Sequence, residues 1–204
     1  MKAIPLTVPF KGERNYIHST DVYVDILRGL EEHERIPIDG ITDVDFVFRR
    51  VCRQRVQMTR DRQQDSDAVA TFSFRYRGEP QQWQLYERDI PVSDRVPCHE
   101  ADVIARSCID AEGQVIAAPY ADGPRATLIE TIVALNKALH LDVFSEARGK
   151  WLFTQVQSER ALRDPRPEEI RIHLAKQFGL RLTKSEILFD GALFGHIFFS
   201  HVKS

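Results

Sequence analysis

DVYVDILRGLEEHERIPIDGITDVDFVFRRVCRQRV, residues Asp21–Val56, decides the reading, because its pattern returns in ATLIETIVALNKALHLDVFSEARGKWLFTQVQSERA, residues Ala126–Ala161. The two align without a gap at a constant offset of 105, Asp21 on Ala126. Phe46-Val47-Phe48 falls on Trp151-Leu152-Phe153, Leu30 on Leu135, Arg55 on Arg160 and Asp25 on Glu130. Few letters are identical; what repeats is an amphipathic helix, a loop and a strand that opens aromatic–aliphatic–Phe. Each copy is followed by two alternating apolar runs, around Arg77-Gly78 in Ala68–Arg88 and around Asp190-Gly191 in Leu182–Val202. A repeat this long is a duplicated fold rather than a solenoid unit.

Working outward, the first helix is expected over Asp21–Glu32, with Val22, Tyr23, Ile26, Leu27 and Leu30 on one face and Ser19 or Thr20 as its cap. The second is expected over Arg125–His140. Ile4–Phe10, bracketed by Pro5 and Pro9, reads as an entry or edge strand, and Val44–Met58 as one long strand. Val69–Tyr76 and Gln82–Arg88 form a hairpin, as do Ala101–Cys108 and Gln114–Ala118, and Lys150–Leu162 is the second long strand. Only the second half carries an insert. Pro167, Glu168, Glu169, an Ile170/Leu174/Phe178 face and Gly179 mark a third helix at about 166–178. Two halves follow, 1–95 and 96–204, each an α+β unit with one helix across an antiparallel sheet, the two joined edge to edge.

Composition bounds the function. With 204 residues, 43% hydrophobic, 28% charged and a net charge of −2, this is an ordinary globular chain without the basic excess of a nucleic-acid binder. No apolar run approaches the roughly 20 residues of a membrane helix, and the N-terminus lacks a signal-peptide core, so a cytoplasmic protein is expected. Cys52, Cys98 and Cys108 have no metal spacing, and His196 and His201, five apart on one strand, face opposite ways. No phosphate loop and no nucleophile elbow is present, so neither metal nor cofactor is expected. The basic run from Arg49 to Arg62 reads as a solvated strand face, or as a site for an anionic partner.

The layout resembles the hotdog superfamily, in which a curved antiparallel sheet wraps one long helix, and the fused pair is similar to a double hotdog. Gly123-Pro124-Arg125-Ala126-Thr127-Leu128-Ile129-Glu130 is similar to the segment that opens the central helix in hydroxyacyl-carrier-protein dehydratases, whose acidic residue is catalytic. Where those enzymes have a histidine upstream, this chain has Ile116 in the second half and Lys11 in the first. The resemblance implies an enzyme acting on acyl thioesters of coenzyme A or an acyl carrier protein, by dehydration, hydrolysis or acyl transfer. It admits a homodimer, and also a catalytically silent relative that binds an acyl ligand or a protein.

Physical chemistry supports the chemistry so implied. A helix start offers free N–H groups and the positive end of a dipole to a thioester carbonyl, and a carboxylate one turn in can serve as base or nucleophile. Glu130 and Asp25 are the candidate carboxylates, His18 the candidate base, and Gly123 and Tyr16 the candidate substrate contacts. Each has a plainer reading. Thr127-x-x-Glu130 fits a capping box, Asp25 a solvated helix residue, and His18, in a His-x-x-Asp spacing with Asp21, a turn or cap residue. Cys52, among arginines, is expected either as a thiol of lowered pKa or as mid-strand packing.

Overall fold

Two helices of equal length, 16 residues each, are the longest in the fold, which is otherwise mostly antiparallel strand. The computed structural model describes residues 3–61, 67–120, 126–163, 166–179 and 181–202. The chain divides into two compact units, Met1–Cys98 with Ser158–Ala161, and His99–Gln157 with Leu162–Ser204.

In the first unit α1 spans Ser19–Glu34, and its apolar stripe buries Val22, Tyr23, Ile26, Leu27 and Leu30. Arg35 ends it in the left-handed conformation, returning its N–H to the Leu30 carbonyl. The strands are β1 (Ile4–Pro5), β3 (Ile41–Phe48), β4 (Gln54–Thr59), β5 (Ala70–Tyr76) and β6 (Glu79–Pro91), in the antiparallel order β1-β4-β6-β5-β3. Between β1 and α1 lies β2 (Phe10–Lys11), which pairs in parallel with β7 (Arg95–Val96) as a separate ribbon. β6 holds the sheet together by pairing twice: Glu79–Leu85 with β5, and Gln84–Pro91 with β4. Tyr23 of α1 meets Phe46 of β3 and Phe72 of β5 edge-on, at 5.5 and 5.7 Å between ring centres, and all three are fully buried. Further along α1, a side chain at Gly29 would meet Met58 of β4 at 2.8 Å and Ile4 of β1 at 3.4 Å, so glycine sets how closely helix and sheet approach.

In the second unit α2 (Glu100–Ile104) is followed by β8 (Cys108–Asp110), β9 (Val115–Pro119), α3 (Leu128–Val143), β10 (Lys150–Arg160), β11 (Glu169–Phe178), β12 (Leu182–Phe189) and β13 (Ala192–Val202). Their order is β10-β13-β12-β11-β9-β8. Most of α3 is buried, including Ile129, Ile132, Leu135 and Leu139. Its Lys137 reaches Glu100 of α2 at 2.6 Å. The hairpin turns of the two units match. Arg77-Gly78 has φ of 54 and 80°, and Asp190-Gly191 has 51 and 82°, the paired positive values of a type I′ turn.

Four expectations need correction. The helix expected at 166–178 is strand β11: Ile170, Ile172 and Leu174 are buried in strict alternation, and a four-residue apolar spacing fits a strand as well as a helix. The strand expected over Ala101–Cys108 is the short helix α2 and then β8, since Glu100 and Asp102 occupy a helical first turn. Val44–Met58 is two strands, because the chain leaves the sheet at 49–53, where Cys52 bridges to Ile17. Burial at Val44, Phe46, Cys52, Val56 and Met58 keeps a period of two through the break, so the pattern alone hides it. Finally, Ile4–Phe10 is not one strand: Ile4–Pro5 is β1, and Phe10 begins the separate β2 with Lys11.

Candidate functional site

The start of α1 collects titratable groups. His18 occupies the cap position but caps nothing through its side chain; its Nδ1 lies 2.7 Å from the Thr20 hydroxyl. Asp21, in the first turn, takes a 2.6 Å hydrogen bond from the ammonium of Lys11, itself only 6% exposed. Burial raises the Asp21 carboxyl above its usual 3.8 despite the pull of Lys11 and, more weakly, Arg14. Its other oxygen, Oδ2, is buried with no hydrogen-bond partner among the described residues. Tyr16 stands half-buried two residues before His18.

Asp25, a turn further along, is buried rather than solvated. It accepts the Thr7 N–H at 2.6 Å and pairs with Arg28 on its own helix. Burial raises its carboxyl too, against the lowering effects of Thr7 and Arg28. His18 and Asp25 therefore sit on one helix with different partners, His18 turned to Thr20 and Asp25 to Thr7.

The start of α3 is closed by its own side chains. Thr127 caps it, accepting the Glu130 N–H at 3.4 Å, while Glu130 accepts the Thr127 N–H at 2.7 Å and its hydroxyl at 2.8 Å. This is the capping box that the spacing allowed. Gly123 lies outside the described residues, as does Arg125, from which α3 was expected to start.

The equivalence of Asp25 and Glu130 does not survive the helix boundaries. α1 begins at Ser19 and α3 at Leu128, an offset of 109, and β3 and β10 begin at Ile41 and Lys150, again 109 apart. On that register Glu130 matches Asp21, both third in their helices. A slip of four residues is about one helical turn and two strand repeats, so it leaves every apolar face aligned and escapes a pattern search.

Cys52 is a packing residue, as one of its two readings had it, and not a thiol of lowered pKa. It lies in the connection after β3, fully buried, and burial together with nearby Glu87 pushes its thiol up to about 12. The arginines beside it are engaged elsewhere: Arg50 with Glu87 at 2.6 Å and Arg55 with Asp94 at 3.1 Å. Among the described residues no group of three or more His, Cys, Asp or Glu is placed to hold a metal ion, and no helix is long and apolar enough to cross a membrane. The sequence reading passed over His140, whose signal was Asn136 one turn before it, two polar residues interrupting an apolar stripe.

No protein-family model and no curated protein matches the chain. Among solved structures it is similar to the tesB protein of Mycobacterium avium subs paratuberculosis, at 12% identity over 95% of this chain and 89% of that one, with a TM-score of 0.48. It is also similar to the dehydratase domain of PpsC from Mycobacterium tuberculosis in complex with C12:1-CoA, at 10% identity over 92% and 85%, with a TM-score of 0.48. A third is a hot dog fold protein of unknown function from Alicyclobacillus acidocaldarius, at 10% identity over 93% and 88%, with a TM-score of 0.47. The chain's long antiparallel strands and few helices are consistent with the hotdog fold.

Proposed function

We propose that the chain is a double hotdog, one repeat per unit, and an enzyme acting on acyl thioesters of coenzyme A or an acyl carrier protein. The observation that carries this reading is the start of α1. No side chain caps it, and His18, Asp21 and Lys11 gather there. An uncapped helix start suits a thioester carbonyl that gains negative charge as it reacts. Beside it, His18 would take a proton from water in hydrolysis, or from the carbon next to the carbonyl in dehydration. Tyr16 would border the substrate. Glu130 is the second candidate for acid–base work, but it would have to leave Thr127 to do so. Asp25 would have to leave Thr7.

The test is incubation with a panel of acyl-CoA and acyl-carrier-protein substrates followed by mass spectrometry. The parent converts at least one, and His18→Ala and Glu130→Gln each lose about 10²–10⁴-fold, while Asp25→Asn loses far less. Turnover of no thioester would overturn the reading. Glu130→Gln unfolding with unchanged activity per folded molecule would leave Glu130 its capping role alone.

A second reading, a silent protein that binds an acyl ligand or a partner, draws support from the α1 interior. Tyr23, Phe46 and Phe72 fill the layer between helix and sheet that an acyl chain would enter. Binding of an acyl-CoA without its conversion would favour it.

A further inference from the structure

In the first unit β3 departs from regular pairing beside a cleft. Thr42 pairs with Arg75 of β5 and Asp45 with Ser73, so two residues of β3, Asp43 and Val44, stand opposite one, Phe74. This is a β-bulge, a device that re-aims a side chain. Asp43 takes up the extra length in the left-handed conformation, at φ 50°, which aspartate tolerates better than most residues. Thr42 and Asp43 are therefore exposed in succession, while Val44 and Phe46 keep their places in the core. On β5, Ser73 and Arg75 alternate with Phe72 and so project from the face opposite α1.

The cleft has a volume of about 340 Å³, at the lower end of the range for small-molecule sites. Asp43 of β3, Ser73 and Arg75 of β5, and Pro80 and Gln81 of β6 line it around Phe74. Arg75 is fixed at two points: Nε lies 3.3 Å from the Asp43 carboxylate, and Nη1 donates to the Gly78 carbonyl at 2.8 Å. The type I′ turn that sets this carbonyl thus also orients the guanidinium. Both charged side chains stay open to solvent, Asp43 at 69% and Arg75 at 52% exposed. Their contact uses Nε and Oδ2, which leaves Nη2 and Oδ1 for a further partner.

We infer that this cleft binds a free α-amino acid, its ammonium group on Asp43 and its carboxylate on Arg75. The two protein charges cancel, so a lone anion is repelled by Asp43 and a lone cation by Arg75, whereas a zwitterion satisfies both. A guanidinium held in a fixed orientation suits a carboxylate better than a point charge does. An α-amino acid separates its own charges by a single carbon, close enough to bridge a pair that stands 3.3 Å apart. Ser73 and Gln81, each able to donate and accept, are left for its side chain. A nucleobase would stack on an aromatic face, and Phe74, the ring in this lining, is 2% exposed. No residue of the thioester chemistry proposed above lines the cleft.

The experiment is calorimetric titration of the full chain with L-alanine, L-leucine, L-serine and L-glutamine, each beside its N-acetyl and its amide form. At least one free amino acid is expected to bind with a millimolar or tighter Kd. It should lose about tenfold when its ammonium is acetylated or its carboxylate amidated, as loss of one charged hydrogen bond would do. Asp43→Asn removes the charge and keeps a residue suited to the left-handed conformation, and Arg75→Gln removes the guanidinium. Each should weaken binding by a similar factor. Should Arg75→Gln fail to fold, Asp43→Asn decides alone. No binding of any of the four at about 10 mM, equal binding of a free acid and its blocked forms, or undiminished binding by Asp43→Asn overturns the inference. Thioester turnover is measured apart, so failure here leaves the proposed function standing, and the reverse.

Discussion

The two units begin alike and finish differently. Each places a sixteen-residue helix before a strand that starts 22 residues after the helix does, Ser19 to Ile41 and Leu128 to Lys150, and each closes its last hairpin with a type I′ turn. In the second unit the last strand, β13, lies beside β10, the strand that follows the helix. In the first unit the last of the antiparallel strands, β6, is drawn into the middle, between β4 and β5, and β5 takes the place beside β3. Local pattern fixes helices, hairpins and turns, whereas the order of strands depends on which long strand finds two partners. The interiors diverge as well: Tyr23 of α1 meets the rings of Phe46 and Phe72, whereas α3 sets the polar Asn136 and His140 among buried apolar residues.

The largest expected effect separates those interiors. Phe72→Ala removes a ring wedged between Tyr23, Phe46 and Phe74 and should cost about 3–5 kcal/mol by urea denaturation. A loss under about 1 kcal/mol would mean that the aromatic layer is not what holds α1 to its sheet.

Acidification should pull the units apart in sign. His140 has a folded-state pKa of about 4 against an ordinary 6.5, so between those values the unfolded chain binds the extra proton and stability falls as pH falls. The loss in the second unit reaches about 3 kcal/mol near pH 4. Asp21 and Asp25 are raised above 3.8, so just above that value the folded chain holds the extra protons there and α1 gains as pH falls. Glu87 of β6 acts the other way in its own strand, its burial outweighed by hydrogen bonds from Arg53, Gln54 and Arg50 that lower its carboxyl. Hydrogen exchange at α1 and α3 amides as a function of pH reads both. Parallel responses would break the comparison.

A smaller effect tests the helix starts. Thr127→Ala should cost about 1 kcal/mol because it removes a cap that is in use. His18→Ala, at a position that caps nothing through its side chain, should change thermal stability little. Smallest of all, Ser185→Ala removes an unmatched buried hydroxyl and should leave stability within about 0.5 kcal/mol of the parent, or raise it.

Much of this was legible in the sequence, and what was not shares one cause. The helices and hairpins could be read because their signals, an apolar stripe, a Thr-x-x-Glu, an Arg-Gly or Asp-Gly turn, lie within a few residues. β11 was misread because Ile170, Leu174 and Phe178 satisfy both periods, and its true register is set by strands on either side of it. Asp25 was paired with the wrong carboxylate because a slip of four residues is invisible to both helix and strand patterns. Its burial depends on Thr7, 18 residues away, and that of His140 on Thr183, 43 residues away. The capping role of Glu130 was readable, since all of its geometry lies within four residues.

The double pairing of β6 bears on how the chain is made. Until Glu79–Pro91 has left the ribosome, β4 has only β1 for a neighbour and β5 only β3, and such two-stranded ribbons are marginal in water. In the second unit β8, β9, β11 and β12 already form four adjacent strands before β13 is synthesised. The first unit is therefore built to close late and all at once, and the second to grow strand by strand. A nascent chain stopped short of β6 would expose two unfinished edges, the species that chaperones recognise and that aggregates without them.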